Sequence, residues 1–97
     1  MDTKVWKDQY DAVALRIANE KDKLVTLIKA KTDDILKQGE GDFVGLFGSE
    51  WSLGLDSQEE HIVAYGDGIF QDLADLTIYE LQEIGDSLYY GNYEIVK

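Results

Sequence analysis

Apolar residues recur at intervals of three and four through the first third of the chain, and beyond it the texture changes. Trp6, Tyr10, Val13, Ala14, Ile17, Leu24, Leu27, Ile28, Ile35 and Leu36 keep helical spacing, and neither glycine nor proline interrupts residues 1 to 38. The spacing predicts helix from about Thr3 to Lys37, stopped by Gly39 and Gly41, with Lys37 near the negative end of the helix dipole. As one rod this segment would span roughly 50 Å, more than the width of a compact domain of this size. Either the rod breaks near Asn19-Glu20-Lys21-Asp22, with Asn19 capping a second helix, or it stays whole and pairs with another chain. A heptad assignment with Trp6, Val13 and Leu27 at a and Tyr10, Ile17 and Leu24 at d leaves Glu20, Lys31 and Asp34 on the seam. Packing against the rest of the domain fits that pattern better than a regular coiled coil.

From Asp42 onward, short apolar runs alternate with glycine, the mark of strands and tight turns. Phe43 to Phe47, Gly48-Ser49 and Trp51 to Leu55 read as a hairpin, and Trp51, Leu53 and Leu55 fall on one face opposite the small Ser52 and Gly54. A third strand is expected from His61 to Tyr65, ending at Gly66-Asp67-Gly68, and Ile69, Phe70 and Leu73 suggest a short helical turn. Thr77-Ile78-Tyr79-Glu80 is a capping box, so a second helix should run from about Ile78 to Tyr90. That helix would bury Ile78, Leu81, Ile84 or Gly85, and Leu88, stop at Gly91, and leave Tyr93 to Val96 free to add an edge strand. The expected fold is a single α+β domain over residues 1–97: 1–38 helical, 42–65 a β-hairpin and third strand, 69–97 a helix plus edge strand. Its sheet would be antiparallel with three or four strands, covered on one face by helix.

Composition agrees with a folded domain, since 44% of residues are apolar and eleven are aromatic. Without cysteine the chain has no disulfide or thiolate chemistry, which fits a reducing cytoplasm. No apolar run approaches the roughly 20 residues needed to cross a bilayer, and the amino terminus lacks the order of a signal peptide, so neither a membrane nor secretion is expected.

Charge changes the picture more. Residues 1–37 hold eight Lys/Arg against seven Asp/Glu, a net of +1, whereas residues 38–97 hold only Lys97 against thirteen acids, a net of −12. Such a field repels nucleic acid and anionic lipid and attracts basic surfaces.

Candidate chemistry is sparse. His61 is the sole histidine, and no nucleophile elbow, phosphate loop or paired-histidine metal motif occurs. Asp67, Asp72 and Asp75 follow a glycine turn but lack the spacing of a twelve-residue calcium loop. No enzyme, cofactor or metal is therefore expected. What stands out is the interleaving of acids and tyrosines in the last third, and Asp72, Asp75, Tyr79, Glu80, Glu83, Asp86, Tyr90 and Glu94 are the candidate partner-binding residues.

The function expected from this pattern is that of an acidic, non-enzymatic binding protein that occupies a basic, nucleic-acid-binding surface of a partner, as a nucleic-acid mimic does. In charge and size alone the chain is similar to small acidic inhibitors made by phages. The alternative is an assembly subunit that forms a homodimer, or pairs with another helical protein, through its first helix.

Overall fold

The computed structural model describes residues 3–14, 21–56 and 61–97. Helix α1 spans Thr3–Ala14 and α2 Lys21–Gly39; strands β1 (Phe43–Leu46), β2 (Ser52–Asp56), β3 (His61–Gly66) and β4 (Ile69–Asp72) follow. A 3-10 turn, Leu73–Asp75, leads to α3 (Ile78–Tyr89) and a last strand, β5 (Tyr93–Val96). All strand pairs are antiparallel, in the order β4-β3-β2-β1-β5. The fold is α+β, with five strands among the described residues where three or four were expected.

The N-terminal rod is not continuous. The indole N–H of Trp6 donates to the Leu27 carbonyl at 2.8 Å, and Lys31 Nζ lies 3.3 Å from the Thr3 hydroxyl. In one straight helix Trp6 and Leu27 would stand about 30 Å apart, so α1 folds back along α2 in antiparallel fashion. The proposed Asn19 cap lies outside the described residues. Folding back lets both stripes meet one core: Trp6, Tyr10, Leu24, Ile28, Ile35 and Leu36 are all buried in a shared cluster.

That cluster continues onto one face of the sheet through Val44, Leu46, Leu53, Ile62 and Ala64, and α3 adds Leu81, Ile84 and Leu88. Register explains the selection, since Ile95, Val44, Leu53, Ala64 and Gln71 form one row across the five strands. Of the three apolar side chains expected on one face of the hairpin, Leu53 is fully buried and Trp51 partly so, while Leu55 is exposed where β2 nears its end.

Two local readings need correction. Ile69 and Phe70 belong to β4, not to a helical turn, because Asp67 (φ 52°) and Gly68 (φ 77°) make a two-residue loop with both residues left-handed, the geometry that suits a tight hairpin. At the end of α2 the left-handed residue is Glu40 (φ 50°), not a glycine, and the Gly41 N–H closes the cap on the Leu36 carbonyl at 3.1 Å. Gly39 and Gly41 serve another need: a Cβ on either would collide with the side chain of Ile95.

Helix α3 begins and ends as its residues dictate. Thr77 Oγ1 accepts from the Glu80 N–H at 3.2 Å and Glu80 Oε1 accepts from the Thr77 N–H at 3.1 Å, a complete capping box. At the other end Gly91 is left-handed (φ 74°), with its N–H on Leu88 and the Asn92 N–H on Ser87 at 2.8 Å, so the predicted stop at Gly91 is observed. Among the described residues no helix is long and apolar enough to cross a membrane.

Candidate functional site

At 100° per residue Tyr79, Glu83, Asp86 and Tyr90 lie within about 60° of one another on α3, opposite its buried side. All four are exposed, Tyr79 at 75% and Tyr90 at 71%. The sequence therefore places two carboxylates and two phenols on one solvent-facing strip, and the capping box and Gly91 fix where it starts and ends.

Glu80 points away from that strip. Besides capping the helix, its Oε2 accepts from the Trp51 indole N–H at 2.9 Å, tying α3 to the segment between β1 and β2. The Thr77 backbone N–H, aided by Trp51, holds the Glu80 carboxyl below its usual range against the opposing effect of burial. Between that segment and α3 opens a cleft of about 350 Å³ whose walls include Glu50, Glu80, Glu83, Phe47 and Trp51. Three carboxylates and two aromatic rings around one opening can receive a cationic side chain, through ion pairing and through the ring faces.

Asp86 is anchored from the other side. Its Oδ1 accepts from the Tyr10 hydroxyl at 2.7 Å, and Tyr10 stacks on Trp6 with ring centroids 5.2 Å apart. Burial, reinforced by Asp86, raises the Tyr10 phenol well above its ordinary pKa. Gly85 makes this possible, because a Cβ there would stand 2.5 Å from Tyr10 Cε2. Beside it the Tyr89 hydroxyl donates to Asp11 at 3.2 Å, and Lys7 Nζ sits 5.2 Å from the Tyr89 ring. The acids of α1 thus border the strip, with Lys7 among them.

The remaining candidates do not join this strip. Glu94 lies on the edge strand β5 with its side chain over Gly45, on the face of the sheet away from the helices, and Asp72 ends the other edge strand, β4. Asp72 caps the 3-10 turn through the Ala74 N–H at 3.1 Å and lies 3.9 Å from Lys29 and 3.8 Å from His61. Asp75 is exposed within that turn, and its carbonyl accepts from Gln71 at 3.5 Å. The structure thus brings together Tyr79, Glu83, Asp86 and Tyr90, turns Glu80 into the neighbouring cleft, and separates Asp72, Asp75 and Glu94.

Sequence reasoning missed the other face of the sheet. There Tyr65 and Phe70 pair across β3 and β4 with centroids 4.8 Å apart, and Phe43 lies over Gly54 on the adjoining strands. The Asp67-Gly68 hairpin signal, taken at face value, would have brought Phe70 beside Tyr65. Among the described residues no group of three His, Cys, Asp or Glu side chains could hold a metal ion. Set against known proteins, the chain matches no family model, no curated protein and no solved structure.

Proposed function

We propose that this chain is a non-enzymatic binding module whose acidic helical surface occupies a basic, nucleic-acid-binding surface of a partner protein. The observation that carries the reading is the α3 strip. Tyr79, Glu83, Asp86 and Tyr90 share one exposed helical face beside the cleft of Glu50 and Glu80, in a stretch of 60 residues with Lys97 as its sole Lys or Arg. Carboxylates steer association with a cationic patch, and tyrosines supply rigid contact area at little entropic cost. What favours this reading over self-assembly through the N-terminal helices is that Trp6, Tyr10, Leu24 and Ile28 are already buried within the chain.

The test is competition. A partner captured and identified at low salt should be released by duplex DNA in proportion to the DNA added, and Tyr79→Ala/Glu83→Lys should weaken capture by at least about tenfold, near 1.4 kcal/mol. A partner that holds this chain and duplex DNA simultaneously would remove the proposal.

A further inference from the structure

We propose that the face of the sheet turned away from the described helices is a second docking surface, for a partner segment in which arginine or lysine side chains flank apolar ones. The α2 and α3 helices cover the face that carries Val44, Leu53 and Ala64, and the register turns Phe43, Val63, Tyr65 and Phe70 to the opposite side. There Phe70 is 70% exposed, Tyr65 42% and Phe43 40%, while Val63 is buried. Taking 150–250 Å² per aromatic side chain, the three rings present roughly 300 Å² of surface, the scale at which an apolar patch on a monomer is commonly functional. The patch is also concave: a cleft of about 380 Å³ runs between Phe43, Gly54, Val63, Tyr65 and Phe70.

Charge decides the occupant. Asp42 lines the cleft, Glu94 lies over Gly45 on the β5 edge, and Asp72 stands on the β4 edge beside Lys29 and His61. Asp72 is already paired with Lys29, so the anionic edge is the one formed by Asp42 and Glu94, and an apolar centre bordered by such charge is the arrangement of a specific interface. A second copy docked face to face would set these acids against themselves in a chain of net charge −11, so like charge opposes a homodimer here. A basic amphipathic segment meets both demands: its apolar side chains enter the cleft, and guanidinium groups stack on Tyr65 and Phe70 while pairing with the border carboxylates. The inference shares with the preceding proposal the premise of a basic partner, but uses a face remote from the α3 strip.

The experiment is an NMR titration of the isotopically labelled full chain with a capped peptide of alternating arginine and leucine, and with its glutamate-leucine counterpart. Expected are shifts at Phe43, Gly54, Val63, Tyr65 and Phe70 with the basic peptide, none with the acidic one, and affinity at least about tenfold weaker in Tyr65→Ser/Phe70→Ser. Both substituted residues are exposed, and an unchanged circular dichroism spectrum verifies the fold; Asp42→Lys/Glu94→Lys, which leaves the rings intact, should weaken binding likewise. Shifts confined to α3 would overturn this inference and leave the preceding proposal standing, whereas no shift on either surface would remove both. Concentration-dependent shifts at the same residues without peptide would assign the face to self-association instead.

Discussion

Replacing Gly85 by alanine sets two effects of opposite sign against each other. In an isolated helix the change is favourable by about 0.8–1.0 kcal/mol, because glycine loses more backbone freedom on folding. In this protein the new methyl group would stand 2.5 Å from Tyr10 Cε2, 2.6 Å from its hydroxyl oxygen and 2.8 Å from Cζ, closer than real Cβ contacts. Tyr10 has little room to yield: it stacks on Trp6, donates to Asp86 at 2.7 Å, and faces Tyr89 at 5.5 Å. Overpacking of this kind costs about 1–3 kcal/mol on its own. We expect Gly85→Ala to destabilise by up to about 2 kcal/mol net, measured as a lower urea midpoint at unchanged m, or as a fall in Tm of roughly 4–8 °C per kcal/mol. Tyr10→Leu removes all three offending atoms, so in that background Gly85→Ala should become stabilising by about 1 kcal/mol. Equal effects of Gly85→Ala in the two backgrounds would refute the packing argument.

The capping box offers a second measurement: Thr77→Ala should cost about 1 kcal/mol of unfolding free energy. Since the folded state holds the Glu80 carboxyl below its unfolded value, its contribution is complete above the ordinary carboxylate range and is lost as pH falls through the folded value. Glu80→Gln should therefore flatten the acid limb of the stability profile, and a limb of unchanged slope would contradict the assignment. Glu40→Gly should stabilise by a few tenths to about 1 kcal/mol by relieving a left-handed residue, offset in part by glycine's freedom in the unfolded chain, as read from the urea midpoint.

Elements with a local chemical signature were the legible ones. Thr77 and Glu80 announced the start of α3, Gly91 its end, and Tyr93 to Val96 an edge strand that does pair with β1. What depended on long-range contacts was not legible. The spacing of Trp6 and Leu27 suits a continuous helix as well as a hairpin of helices, and long-range contacts settle it: the indole hydrogen bond to Leu27 and that of Lys31 to Thr3. Ile69, Phe70 and Leu73 suggest a helical turn in spacing, and Leu73 does begin a 3-10 turn, but Ile69 and Phe70 go to a strand because Asp67-Gly68 aligns β4 against β3. For the candidate surface, helical periodicity puts Tyr79, Glu83, Asp86 and Tyr90 on one side of α3 and Glu80 off it, but it could not show that the Trp51 indole N–H holds Glu80 at the neighbouring cleft. Nor could it show that Asp72 and Glu94 end up on opposite edges of the sheet, around aromatic residues the alternation pattern had not singled out.

The most direct trial is the association rate with the purified partner as salt is varied. Steering by the carboxylates on and beside α3 should make that rate fall at least about tenfold from low to physiological ionic strength, with Glu83→Lys reducing both the rate and its sensitivity to salt. A rate constant indifferent to salt, equal in the native chain and in Glu83→Lys, would mean that the acids serve only to keep the molecule dispersed.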